Sequence, residues 1–272
     1  FMGLAIGIGN GILFTSQTRQ GGGGTTSFIT TWRTTTTNET ITIPTTGSGY
    51  NYDISTSDGQ TFTGVTGSQA ITFASAGDYD VSISGAFPRI YINNGVERAK
   101  IVDIKQWGNI AWSSLEGAFK GASNLQLTAT DAPDLSNVTT LKEIFRNCTI
   151  FNANINHWDV SNVTDLTSAF YFTSSFNQPL NNWDVSNVTN MATSFRRSAF
   201  NQDLSIWNTS SVTNFVNTFR ESSYNGSGSS NWDVSNVIGV ERMFYQTPFN
   251  KNISSWDITG ITSFIDFLKN SS

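Results

Sequence analysis

The stretch Trp183-Asp-Val-Ser-Asn-Val-Thr-Asn-Met-Ala-Thr-Ser-Phe195 is one copy of a repeat, and the repeat governs how the chain must fold. Trp158, Trp183, Trp207, Trp232 and Trp256 recur every 24 or 25 residues. Val138, Val163, Val188, Val212, Val237 and Ile261 keep the same period. Seven residues after each comes Phe145, Phe170, Phe195, Phe219, Phe244 and finally Leu268. A third series runs Phe151, Phe176, Phe200, Tyr224 and Phe249, and Leu115, Phe119 and Leu125 mark a degenerate first copy. A single copy is too small to bury its own apolar face, so the copies must stack into one continuous core.

Within a copy, Val188, Met191 and Phe195 stand at i, i+3 and i+7, the spacing of one face of a short helix. Ser186 or Asn187 is placed to cap its start. Residues 180–185, apolar at both ends, suit one strand per coil. The reading predicts a coil of strand, turn, helical turn and return. The series Asp134, Asp159, Asp184, Asp233 and Asp257, with Asn208 in one place, puts like charges on successive coils. Two arrangements make that tolerable: an Asx turn that ties each carboxylate to the backbone two residues on, or a calcium ladder. The companion series Asn137, Asn162, Asn187 and Asn236 predicts a hydrogen-bonded ladder between coils.

Upstream, residues 28–100 contain short β-rich runs at 28–32, 40–43, 50–54, 70–73, 79–84 and 89–92, separated by turn signals such as Asp58-Gly59 and Ala76-Gly77-Asp78. This rhythm predicts a small antiparallel sandwich. Residues 1–27 read as an anchor strand and glycine linker. Gly3, Gly7, Gly9 and Gly11 share one parity with Ala5, and Leu4, Ile6, Ile8 and Ile12 share the other. An extended strand with one bare and one aliphatic face suits donation to a partner's sheet. Gly21 to Gly24 follow as linker.

The residues 73–84, Phe-Ala-Ser-Ala-Gly-Asp-Tyr-Asp-Val-Ser-Ile-Ser, resemble a strand pair of PKD-type immunoglobulin-like domains, although Ser55-Thr-Ser-Asp-Gly59 lacks the tryptophan of that family's turn. The Trp-Asp-Val-Ser-Asn-Val-Thr string resembles the leucine-rich-like repeats of BspA-family surface proteins, over about 160 residues. The leader is similar to the N-terminal anchors of some bacteriophage appendage proteins. Together these resemblances imply a mainly β chain with short helices: an anchor at 1–27, a PKD-like β-sandwich at 28–100, and an α/β leucine-rich-repeat-type solenoid at 101–272.

Composition narrows the function. Charged residues are 13% of the chain, about half the usual share. The net charge is −5 and no basic run exists, so nucleic acid is not an expected partner. The lone Cys148 allows no internal disulfide. The lone His157 has Asn182, Ile206, Asn231 and Ser255 as counterparts, a variability that fits a solvent-facing side chain rather than a catalytic one. No phosphate loop, Cys/His cluster or converging carboxylate pair is present, so no catalytic residue, metal or cofactor is expected. The resulting expectation is a non-enzymatic surface-displayed structural and recognition protein. Its first form is a bacteriophage virion appendage, a head or tail fibre or decoration protein at the virion surface. That form is held through residues 1–24 by a structural partner and presents the solenoid to a host glycan or protein, with homo-oligomers allowed. The alternatives are a BspA-type adhesin on a bacterial surface and a glycan-active β-solenoid enzyme.

Overall fold

The computed structural model describes residues 26–271. The leader residues Gly3, Leu4, Ile6, Gly7, Ile8, Gly9, Gly11 and Ile12 lie outside the described residues. Among the described residues there are eight strands: β1 (Phe28–Thr34), β2 (Glu39–Ile43), β3 (Asn51–Thr56), β4 (Thr61–Val65), β5 (Gln69–Phe73), β6 (Gly77–Ala86), β7 (Ile101–Gln106) and β8 (Gln126–Leu127). Six of them form one sheet in the order β4-β3-β6-β1-β7-β8, and β2 pairs with β5 in a separate ribbon. All pairings are antiparallel except β7 with β8.

Strand β1 lies inside the sheet, and its alternation follows from that place. Phe28, Thr30, Trp32 and Thr34 are buried on the inner face, and the Trp32 indole donates to the Thr30 hydroxyl at 2.8 Å. The inner face is covered by aromatic side chains from beyond the sheet. Phe28 packs on Trp107 and Trp112 with ring centroids 5.6 and 5.0 Å away, and Phe87 lies 6.1 Å from Trp112.

These facts correct the expected PKD-like sandwich. β4 and β7 both add to the sheet that holds β3 and β1, which leaves only the β2–β5 ribbon as a second layer. The sheet stays open, with β4 and β8 as its edges, and Trp107 and Trp112 also pack on its inner face. Residues 89–92 form no strand; Ile90 and Ile92 are buried in irregular chain.

The repeats contain no α-helix among the described residues, and this corrects the expected leucine-rich-repeat-type solenoid. The helical elements are two 3₁₀ pieces, Val96–Ala99 and Ser229–Asn231. The backbone explains why. Along residues 141–148, alternate N–H groups leave the segment altogether: Leu141, Glu143, Phe145 and Asn147 donate at 2.8–3.0 Å to the carbonyls of Asp165, Thr167, Ala169 and Tyr171 in the next coil. The N–H groups between them close tight turns, Ile144 to Leu141, Arg146 to Glu143 and Cys148 to Phe145. An α-helix would need all of these donors for carbonyls four residues back in its own segment.

Left-handed residues enforce the pattern. Glu143 and Asn147 have φ of 58° and 63°, and the pairs Ser168/Phe172, Thr193/Arg197, Asn217/Glu221 and Arg242/Gln246 repeat it at φ of 53–59°. Such a residue every fourth position cannot belong to a right-handed helix. Its backbone cost is offset by the bonds to the neighbouring coil. The expected strand per coil is likewise absent. Coils meet instead at a later position of the repeat, in single parallel bridges, Thr140 with Asp165, Asp165 with Asn190, Asn190 with Asn214 and Asn214 with Gly239. The stack is therefore made of turns. Its spine is a column of phenylalanines in which Phe145, Phe170, Phe195, Phe219 and Phe244 follow one another at centroid distances of 5.3–6.0 Å.

Candidate functional site

The repeat residues singled out from sequence belong to the scaffold. Trp158, Trp183, Trp207, Trp232, Trp256, Phe145, Phe170, Phe195, Phe219 and Phe244 are all buried. From Trp183 onward each indole N–H donates at 2.9–3.2 Å to a carbonyl of the preceding coil: Ile155, Leu180, Leu204 and Ser229 in turn. The Trp158 indole N–H has no such partner; its ring instead meets Trp107 edge-on at 5.3 Å. The expected last member of the phenylalanine column, Leu268, is 41% exposed, and Phe267 turns inward against Phe244 in its place.

The acidic series closes Asx turns. Asp134, Asp159, Asp184, Asp233 and Asp257 each accept the backbone N–H two residues on at 3.0–3.1 Å, and Asn208 does the same at 3.1 Å. The Ser186 and Ser235 hydrogen bonds, side chain then backbone, hold Asp184 and Asp233 below the ordinary carboxylate range, and Thr259 does this for Asp257. A carboxyl and a carboxamide serve equally here because only the accepting oxygen is used. The asparagine series ties coils together from the surface: Asn162, Asn187 and Asn236 donate to the carbonyls of Ser136, Ser161 and Ser210. Among the described residues, no group of three or more His, Cys, Asp or Glu is placed to hold a metal. His157 is exposed, 3.3 Å from the Asp131 carbonyl.

The concave feature rich in functional groups was not anticipated. It is a cleft of about 540 Å³ on the outer face of the sheet. Side chains at i and i+2 of a strand share a face, so Thr31 and Arg33 of β1, Asp78 and Asp80 of β6, and Asp103 and Lys105 of β7 all point into it. Register sets the rows. Arg33 stands opposite Asp78 and Thr31 opposite Asp80, while Thr31 meets Asp103 on its other side and Asp103 meets Gln126. The Arg33 guanidinium forms a two-point pair with Asp78 at 2.7 and 2.8 Å. Asp80 accepts the Thr31 hydroxyl and the Lys105 ammonium, both at 2.8 Å. Asp103 accepts the Thr128 hydroxyl at 2.7 Å and the Thr128 N–H at 3.0 Å. Asn124 and the 47%-exposed Ile150, from the first coils, complete the rim. The Arg33 hydrogen bond holds the Asp78 carboxyl below its usual range, and Asp78 raises Arg33 in return. Asp78 and Arg33 are thus both charged and held against each other at neutral pH. The signal in the sequence was the parity of Asp78/Asp80 and of Asp103/Lys105.

Fold and cleft together define a repeat protein in which turn-built coils are packed onto an open β-sheet whose outer face carries a charged recess. The chain belongs to the family described as "Mycoplasma protein of unknown function, DUF285", whose model matches residues 113–225 and 194–272, together more than half of the chain. No curated protein and no solved structure matches it. The BspA-type and PKD-type assignments are corrected accordingly: the matching family is a different one, and neither a helical leucine-rich-repeat solenoid nor a closed sandwich is formed. The virion-appendage and adhesin roles depended on that solenoid and on a fibre-like architecture. With those fold features absent, both roles lose their structural basis.

Proposed function

We propose that the protein is a non-enzymatic binding module and that the cleft over β6, β1, β7 and β8 is its ligand site. The observation that carries this reading is the set of cross-strand rows on the cleft floor. Arg33, Asp78, Asp80, Lys105 and Asp103 present fixed acceptors and donors a strand apart, and Val102 and Ile150 add an apolar margin. Strand spacing sets these polar groups about 4.8 Å apart across the floor, a regular array of donors and acceptors. Carboxylate and amide groups can each bridge neighbouring hydroxyls, so a neutral oligosaccharide is the ligand class that suits the floor. Arg33 and Lys105 are already paired with Asp78 and Asp80, and Asp103 is held by Thr128, so an uncharged ligand can bind without breaking an ion pair.

Calorimetric titration with neutral oligosaccharides tests this. Binding by the parent, weakened about tenfold or more in Asp80→Ala and Asp103→Ala at an unchanged unfolding midpoint, is the expected result. Absence of binding, or equal binding by both variants, refutes the cleft as the site. Mass spectrometry of the recovered sugar tests the other half, since any cleavage would make the protein an enzyme.

A further inference from the structure

The turn segments concentrate the cations of the stack. In residues 113–272 every lysine and arginine except Lys251 falls in a turn segment of the kind seen at 141–148, against the acids Glu116, Glu143, Glu221, Glu241 and Asp266. Of the remaining acids of that region, Asp165 borders the face and accepts from Thr167 within it, and the others, the Asx-turn series among them, lie in other parts of the coils. A chain with net charge −5 therefore carries one face of opposite sign. No run of basic residues announces it, because the period brings together positions some 25 residues apart.

The face has an ordered centre. Positions following the phenylalanine column read Arg146, Tyr171, Arg196, Arg220 and Tyr245 on successive coils. Tyr171 lies between two guanidiniums, Arg146 at 4.8 Å and Arg196 at 5.4 Å from its ring centroid, and Arg220 lies 5.0 Å from Tyr245. Around Glu221 the balance is unequal. Arg197 forms a short ion pair with it, Arg220 approaches to 2.9 Å and Arg196 to 3.9 Å, so three guanidiniums share one carboxylate. Desolvation and then the neighbouring Arg220 lower the affinity of Arg196 for its proton. The Nε atoms of Arg146 and Arg196 are buried without a hydrogen-bond partner.

We infer that this face binds a linear acidic polysaccharide, with Arg196, Arg197 and Arg220 as the central anion site. Guanidinium forks match the planar two-oxygen edge of a carboxylate and the oxygens of a sulfate. The rungs succeed one another at the 5.3–6.0 Å step of the phenylalanine column, so an extended chain lying along the stack meets cations on several coils. Single-stranded nucleic acid fits less well: binding it draws on free aromatic faces for base stacking, and the Tyr171 ring already holds two guanidiniums. This site is separate from the cleft, and either can fail without the other.

The test is affinity for an immobilised uronate polymer, a sulfated polysaccharide, a neutral dextran, single-stranded DNA and vesicles of anionic lipid, each across a salt series. Retention on the two acidic polysaccharides, weakening as salt rises, with none on dextran, is expected. The double variant Arg196→Gln/Arg220→Gln should lose about tenfold or more, while Lys251→Gln, off the face, should be unchanged. Glu221→Gln should bind more tightly because it removes the competing carboxylate, a gain that no loss of structure would produce. Unfolding midpoints of all variants check that each is folded. Equal retention of the parent and the arginine variant, loss equal to theirs in Lys251→Gln, or stronger retention on DNA or vesicles would overturn the inference.

Discussion

The indole N–H of Trp207 lies 3.0 Å from the carbonyl oxygen of Leu180, in the coil before it. The contact joins two functions in one side chain. The ring, 3% exposed, fills the core beside Phe195, and the N–H pins one coil to the next. Replacing Trp207 with Ala should cost about 3–5 kcal/mol, the range for truncating a buried aromatic. Trp207→Phe keeps most of the packing and removes one bond to the Leu180 carbonyl, which still accepts the Trp183 N–H at 3.1 Å, so about 0.5–1.5 kcal/mol is expected. Urea unfolding of the two variants checks the order. Equal losses would mean that the hydrogen bond contributes nothing.

The backbone of the irregular coil supplies a second prediction. Gly228 has φ of 88°, and a Cβ there would sit 2.1 Å from the Ser205 nitrogen and 2.5 Å from the Leu204 carbonyl carbon. Gly59 has φ of 93° with nothing within 4 Å of a Cβ. Both positions disfavour any L side chain, but only Gly228 adds a clash with rigid backbone. Gly59→Ala should therefore cost about 1 kcal/mol from backbone strain alone, and Gly228→Ala distinctly more. A smaller loss at Gly228 than at Gly59 in thermal unfolding would show that the coils can separate there at little cost.

What was legible in the sequence follows from what side-chain patterns encode. The tryptophan and phenylalanine series were readable because burial selects apolar residues at fixed intervals, whatever the backbone does between them. The turn segments read as helix because Val188, Met191 and Phe195 point inward from tight turns at the same intervals that a helix would use. The left-handed positions could have corrected this, but from the second copy on they are filled by residues such as Glu, Ser, Phe, Thr, Asn, Arg and Gln rather than glycine. Only the first copy shows the signature, with Gly117 and Gly121 four residues apart at φ of 64° and 85°. The cleft was hidden because its floor combines strands far apart in sequence. Within single strands, Asp78/Asp80 and Asp103/Lys105 already had the parity of a shared face.

The Asx turns make stability depend on pH in a defined direction. Asp184, Asp233 and Asp257 have folded-state pKa values below their unfolded ones, through hydrogen bonds from Ser186, Ser235 and Thr259. Their contribution is fully present above the unfolded pKa and is lost as pH falls through the folded one. Asn208 makes the same turn with no charge. Asn208→Asp should leave stability near neutral pH little changed and make it fall more steeply in acid, and Asp184→Asn should flatten the profile. Urea midpoints measured from neutral pH into the acid range test this. An unchanged slope in both variants would remove the hydrogen-bonded carboxylates from the account.

The column that contains Cys148 yields the last prediction. Three residues after each phenylalanine of the spine stand Cys148, Thr173, Ser198, Ser222 and Thr247, all buried. Thr173, Ser198 and Thr247 donate their hydroxyls at 2.7–2.9 Å to the phenylalanine carbonyl three residues back. Cys148 instead turns its thiol toward the Phe119 carbonyl in the preceding coil, at 3.1 Å. Burial raises the thiol's pKa above its ordinary value, which leaves it protonated and unreactive at neutral pH. The native protein should thus resist a thiol reagent, and labelling should proceed at the rate of unfolding as urea is added. Cys148→Ser should be tolerated better than a buried hydroxyl usually is, because the column shows where that hydroxyl can donate; a cost of about 1 kcal/mol or less is expected. Cys148→Val removes the thiol donor, but the Phe119 carbonyl keeps the Ala122 N–H at 3.0 Å, so its cost should be of similar size. Rapid stoichiometric labelling of the native protein would show that the coils open at this point far below the global unfolding transition, contrary to a single cooperative stack.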